Sequence, residues 1–308
     1  MENTTTPVLS VRDLKIGFNM YQKGLRQTEL VTIQSLNLDL YQGEILAVVG
    51  SSGSGKSLLA HAIMGILPTN ATLQGSIRYN GLELTPELQK QLRGTEIALI
   101  PQSVDYLDPL MRVGEQVIGT KSTAKAQKAA FRRYGLEEQT ADLYPHQLSG
   151  GMARRILIST AVTINPQLII ADEPTPGLPV ELALKTLSHF REMADNGTAV
   201  LLITHDIDLA LNGADRIAVF YAGTTVEIAA AADFKAGKEA LRHPYSKAFI
   251  DALPQNSFQA IPGSQPYAGN LPSGCLFADR CPERTDACSQ ELVMRKLRGG
   301  EVLCVNAT

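Results

Sequence analysis

No stretch of this chain approaches the ~18 consecutive apolar residues of a membrane-spanning helix, so no transmembrane segment is expected. The amino terminus, MENTTTPVLSV, lacks a basic patch followed by an apolar run and does not read as a secretory signal. Long Lys/Arg blocks are missing too, and with a net charge of −3 nothing argues for nucleic-acid binding. Cysteine is absent before Cys275. No internal repeat is visible, so one α/β unit is expected. What is present is ordinary for a folded soluble protein: 19% charged and 44% apolar residues. A length of 308 residues suits one large domain with an appendage, or two domains. The expected compartment is the cytoplasm, where disulfide pairing is disfavoured.

LSVRDLKIGF and VTIQSLNLDL alternate loosely, as half-buried strands do. EILAVVG is a short continuous apolar run, as in a strand covered on both faces. A helix is expected from Lys56 to about Ile66, and Asn80-Gly81 between strand-like flanks signals a hairpin. Further apolar strands fall at 97–100, 168–171, 200–203 and 217–220. Helical segments lie around 124–135, 149–164, 180–194 and 206–213. This alternation predicts α/β layering with an antiparallel piece near the N-terminus. Residues 254–274 are rich in Pro, Gly, Ser and Asn and read as a linker.

GSSGSGKS at 50–57 fits G-x-x-x-x-G-K-[ST] and lies between a buried strand and a helix, the context that motif requires. Its glycines let backbone N–H groups turn inward around phosphate, and the helix N-terminus adds its positive end. Lys56 is expected on the β- and γ-phosphates and the Ser57 hydroxyl on Mg²⁺. LIIADEP ends an apolar strand in two carboxylates. Alone, such a pair is usually a solvated strand end. Downstream of a phosphate loop, Asp172 reads as the magnesium residue and Glu173 as the general base. LSGGM places Ser149 at a helix N-cap, with the bare N–H groups of Gly150 and Gly151 behind it as a second anion site. Gln102 follows the strand IALIP within reach of Mg²⁺ and water, and His205 ends VLLIT with donors able to touch a γ-phosphate. Each of these two is also compatible with a plain strand end or cap.

The order of these five motifs over residues 9–228 resembles the ATP-binding subunit of ABC transporters. The resemblance implies a P-loop NTPase fold of the ABC type: a mixed sheet core, an antiparallel β subdomain and a helical subdomain at about 103–165. It places an ATP-binding domain at 1–254 and a Cys-rich extension at 255–308. Gly50, Ser51, Ser52, Gly53, Ser54, Gly55, Lys56, Ser57 and Leu58 would hold ATP. Phe18, or less readily Tyr21, would stack on adenine. Ser57, Gln102 and Asp172 would hold Mg²⁺, and Glu173, His205 and Gln102 would serve catalysis. A second, homologous ATPase subunit would pair head to tail, so that Ser149, Gly150 and Gly151 grip its nucleotide. Two membrane permease subunits, served by an extracytoplasmic solute-binding protein, would hold this chain peripherally at the cytoplasmic face.

RHPYSKAFI and the tail IPGSQPYAGNLPSGCLFADRC are similar to the oligopeptide, dipeptide and nickel import branch. Peptide import is the leading expectation, nickel or a metal chelate the alternative. A soluble ABC ATPase of DNA repair is disfavoured because no heptads separate Lys56 from Ser149, and one of translation because only one cassette is present. A regulatory binder without hydrolysis is disfavoured by the intact Glu173 and His205. Two departures stand out: the loop after the family's catalytic Glu usually reads Ser-Ala-Leu-Asp but is PGLP at 176–179 here, with Pro179 where the Asp belongs, and Arg154 replaces the usual Gln two places after Met152. In this branch the tail cysteines can hold an iron–sulfur cluster. Cys275, Cys281, Cys288 and Cys304 would then be the ligand set of a 4Fe–4S cluster. Their spacing is wider than the C-x₂₋₄-C pairs of structural zinc, which stays an alternative.

Overall fold

The computed structural model describes residues 6–21, 27–51 and 53–308; Ser52 of the phosphate loop lies outside them. Strands β1 (Leu9–Tyr21), β2 (Gln27–Leu40) and β3 (Ile45–Gly50) open the chain, followed by helix α1 (Lys56–Met64). Then β4 (Ala71–Tyr79), β5 (Leu82–Glu83) and α2 (Pro86–Leu92) lead to β6 (Ile97–Ile100). A mainly helical stretch holds α3 (Val113–Ile118), α4 (Ala124–Arg133) and α5 (Gly150–Val162). Alternation resumes with β7 (Leu168–Asp172), α6 (Val180–Asp195), β8 (Ala199–Ile203), α7 (Ile207–Gly213), β9 (Arg216–Tyr221) and β10 (Thr224–Ala230). Helices α8 (Ala231–Ala236) and α9 (Pro244–Asp251) precede a tail with β11 (Arg295–Leu297) and β12 (Gly300–Val302).

The strands join in the order β5-β4-β1-β2-β10-β9-β3-β8-β7-β6. β9, β3, β8, β7 and β6 run parallel. Every residue of β3, β7 and β8 is buried, because helices cover both faces of a parallel sheet and leave no side for polar residues. β1, β2, β4 and β5 pair antiparallel. Their alternation is the expected one: Leu9, Val11, Ile33, Leu36, Leu38 and Leu40 are buried while intervening side chains reach solvent. Asn80 and Gly81 take positive φ, 48° and 81°, as a tight type I′ hairpin requires. The mixed sheet and antiparallel layer expected from the sequence are both present.

Because β3, β6, β7 and β8 are parallel, their carboxyl ends line one edge of the sheet. Gly50, Ile100, Asp172 and Ile203 are the last residues on that edge. Crevices outside such strand ends are where α/β sheets bind ligands. The helical stretch has its own small core, in which Val113, Val117, Phe131, Leu136, Ile156 and Leu157 pack together. Among the described residues no helix is long and apolar enough to cross a membrane.

The tail is built into the sheet. β12 pairs with β10 through Glu227 and Val302, and β11 pairs with β12. Fully buried Arg242 donates to Glu227, Asp233 and the carbonyl oxygens of Leu297 and Arg298. The stretch 254–274 carries no regular element, yet Arg280 fastens it by donating to the Ile261 and Pro262 oxygens while also bonding the Tyr221 hydroxyl. Phe277 stands edge-on to Tyr221, with ring centroids 5.4 Å apart.

These contacts correct the expectation for the four cysteines. Among the described residues no group of three or more His, Cys, Asp or Glu side chains is arranged to hold a metal ion. Neither the 4Fe–4S cluster nor the zinc site on Cys275, Cys281, Cys288 and Cys304 is therefore supported. All four are free thiols. Cys275 and Cys288 are buried in the apolar cluster around Tyr221, Tyr245 and Phe277, and Cys304 packs with Val302 and Ala307. Burial pushes the Cys275 and Cys304 thiols up and that of Cys281 to about 11, which favours the neutral S–H. Cys275 and Cys304 pack as small apolar residues, while the Cys288 sulfur also meets Thr285 Oγ1 and Asn306 Nδ2. Strand pairing and the Arg242 network join the tail to the sheet.

Candidate nucleotide site

The loop 50–57 leaves the end of β3 and enters α1. A Cβ on Gly50 would stand 2.3 Å from the Phe220 carbonyl oxygen of β9, so only glycine lets the loop start there. Gly55 is the N-cap of α1 with φ 92°, a conformation that glycine adopts without strain, and it offers no side chain to cap the helix. The first N–H groups of α1 are thus left for an anion. Buried Lys56 turns its Nζ back onto the carbonyl oxygens of Gly50 (2.8 Å) and Ser51 (3.0 Å). Burial lowers its pKa, while the charges of Glu173 and Asp172 pull it back up. Ser54 Oγ is buried without a partner among the described residues.

Asp172, the last residue of β7, is buried and accepts from Ser57 Oγ at 3.2 Å. Burial raises its pKa, and the Ser57 hydrogen bond opposes that rise. Glu173 follows with φ 49°, a left-handed conformation costing a non-glycine residue of order 1–3 kcal/mol. Its N–H donates to the Ile203 oxygen of β8 at 2.9 Å, which holds the turn. The side chain is buried. Oε1 lies 2.8 Å from His205 Nδ1, and Oε2 has no partner among the described residues.

A cleft of about 530 Å³ brings Lys56, Ser57, Glu173 and His205 together; Asp172 does not line it but bonds Ser57, which does. Gly53, Gly55, Lys56, Ser57, Leu58, Gln102, Glu173 and His205 line it, together with Thr32 of β2. Thr32 carries no motif; it arrives because β2 lies beside β10 in the sheet, a neighbour relation that local sequence does not display. Ser51 lies just beneath and donates to Gln265 Oε1 at 2.6 Å, so the presumed linker touches the phosphate loop. Phe18 does not line the cleft; its ring packs on the apolar core between the sheet and α1. Exposed Tyr21 does not line it either.

Ser149 caps α5 as expected, accepting from Met152 N at 3.3 Å. Neither it nor Gly150 and Gly151 borders the cleft. They lie instead beside the loop after Glu173, where a Cβ on Gly151 would come 3.4 Å from the Gly177 oxygen. Pro179 ends that loop as the N-cap of α6, one position before the helix's first turn, with no side-chain cap.

Residues 33–176 match the family described as ABC transporter, and 226–288 match the oligopeptide/dipeptide transporter C-terminal region. The oligopeptide transport ATP-binding protein OppD of Escherichia coli (strain K12) is 34% identical over 316 residues, covering 96% of this chain and 91% of that protein. The dipeptide transport ATP-binding protein DppD of the same strain is 36% identical over 307 residues, covering 92% and 91%. Among solved structures, the dimeric post-hydrolysis state of the ATP-binding cassette MJ0796 bound to ADP and Pi matches with a TM-score of 0.64 and 25% identity. It covers 72% of this chain and 98% of that one. With a phosphate loop, two strand-end carboxylates and a His at one sheet edge, and relatives aligned along nearly its whole length, the chain belongs to the ATP-binding subunits of the oligopeptide/dipeptide ABC transporter family.

Proposed function

We propose that this chain hydrolyses ATP to power an importer of di- and oligopeptides. The observation that carries the chemistry is Glu173, a buried carboxylate with one oxygen against His205 and the other unpartnered, beside the N-terminus of α1. A carboxylate so placed can take a proton from a water attacking the γ-phosphate. Its strained backbone aims it, and His205 holds one oxygen so that the other stays free. Lys56 would exchange the loop carbonyls for the β- and γ-phosphates, with the loop N–H groups around them. Ser57, Asp172 and Gln102 would hold Mg²⁺, for which an all-oxygen donor set is suited. Such an ion would supply charge neutralisation at the phosphates.

The signature residues Ser149, Gly150 and Gly151 stand away from this cleft, which supports their use on the nucleotide of a second, homologous subunit. The MJ0796 cassette, described as dimeric, is consistent with that pairing. An apolar groove of about 350 Å³ between Met64, Ile66, Leu99, Tyr106, Leu157 and Ile164, next to a loop exposing Leu110 and Met111, suits a permease subunit. Two permeases and an extracytoplasmic solute-binding protein would complete the importer, with this chain at the cytoplasmic face. Peptide as cargo rests on the relatives, described as oligopeptide and dipeptide transport proteins. The complex co-purified on this chain and reconstituted in vesicles should take up a labelled tripeptide only with ATP. Uptake of nickel but no peptide would overturn the cargo.

Pro179→Asp returns a carboxylate to the loop beside Gly151 and gives α6 a side-chain cap, a change worth about 0.5–2 kcal/mol at an N-cap. ATPase activity of the complex should rise or stay level, and the melting temperature should rise. A marked fall in turnover would mean that the proline has a positive role.

A further inference from the structure

Arg154 lies in the second turn of α5, and its guanidinium is buried without a carboxylate ion pair among the described residues. Its Nη1 donates to the Pro101 oxygen at 2.8 Å and its Nη2 to the Gln102 oxygen at 2.5 Å. Burial lowers its pKa, and the charges of Asp172 and Glu173 oppose that fall. A guanidinium stays charged in proteins, and burying one calls for compensating hydrogen bonds. Here two successive carbonyls supply them, at the joint where β6 ends and the helical stretch begins. The next residue faces the other way: Arg155 Nη1 donates to the oxygens of Tyr134 and Gly135 at the end of α4. The two arginines thus tie α5 to the sheet edge and to its own helical neighbours. Ser149 lies about 7.5 Å along the same helix at 1.5 Å per residue.

We propose that Arg154 is a positioning residue for Gln102: its planar fork fixes the Pro101–Gln102 backbone, and through it sets the Gln102 side chain in the nucleotide cleft. The helix end that presents Ser149, Gly150 and Gly151 is thereby rigidly linked to a group of the chain's own ATP site. A lysine, with one point of charge, cannot span both carbonyls. This inference rests on the ATPase reading above.

The test is a double-mutant cycle in the transporter complex. Arg154→Met should lower kcat about tenfold, well within the ~10²-fold that a 1 Å misplacement can cost, with KM for ATP changed less than about twofold. In a Gln102→Ala background the same substitution should change kcat by less than about twofold, because the group it positions is gone. Arg154→Gln, which can donate to one carbonyl, keeps the test open if the Met variant folds poorly, and should fall between. Amide hydrogen exchange at 102–106 should accelerate in both variants whatever the turnover. The proposal is overturned if the full kcat loss persists without Gln102, or if exchange at 102–106 is unchanged. A parent complex without ATP turnover would overturn the ATPase reading instead, and exchange alone would then decide the role of Arg154.

Discussion

Glu173→Gln is expected to cut ATP turnover by about 10²–10⁴-fold, the range for a lost general base, while ATP affinity stays near that of the parent. The substitution keeps size and a hydrogen-bond acceptor toward His205 but removes the charge that accepts a proton. Binding depends on other groups: the loop N–H donors, the α1 N-terminus and Lys56. Lys56→Ala should accordingly show the opposite profile, with binding itself lost, since the phosphates lose their only cation from this loop. Single-turnover hydrolysis and equilibrium binding of a fluorescent nucleotide, both on the assembled complex, separate the two effects. Parental turnover in Glu173→Gln would move the base elsewhere in the cleft.

Arg242→Ala should destabilise the tail by about 3–5 kcal/mol, the loss typical when one partner of a buried ion pair is removed. Arg242 is fully buried against Glu227, which is itself fully buried and accepts from the backbone N–H groups of Arg242 and His243, both at 2.9 Å. Without the guanidinium, the Glu227 charge stays buried and the Leu297 and Arg298 oxygens lose their donor. β11 and β12 should then detach from β10. Limited proteolysis would detect cleavage after 254 in the variant, and denaturant unfolding would measure the loss. A change below about 1 kcal/mol, the scale of an exposed pair, would mean that strand pairing alone secures the tail.

The legibility of this chain follows the length scale of each feature. Loop 50–57 was readable because its requirement is local: consecutive residues must turn the backbone inward and start a helix, and Gly, Lys and Ser at fixed offsets say so. β3, β7 and β8 were readable because burial on both faces forces an unbroken apolar run. Asp172, Glu173, Gln102 and His205 were readable as strand ends, and the parallel sheet brings them to one edge with the loop. Phe18 packs on the apolar core and does not line the cleft, because alternation in β1 sets which face it takes but not which element covers it.

The tail was the least legible. Cysteine identity and spacing suggested a shared metal, but spacing carries no information about where thiols point or how deeply they are buried. Its order comes instead from Arg242, Arg280 and the β10–β12 pairing, whose partners are separated by long stretches of chain. The same holds for Arg154 on Gln102, Gln265 on Ser51 and Thr32 in the cleft. The sequence by itself determined the family, the phosphate loop and the candidate carboxylates, since these depend on backbone conformation within a few residues. Tertiary structure alone decided that Glu173 keeps a free oxygen, that Arg154 grips the Gln102 backbone and that the cysteines are packing thiols. Hydrogen bonding and burial of those groups depend on neighbours distant in the chain, which only the packed sheet and its covering helices bring together.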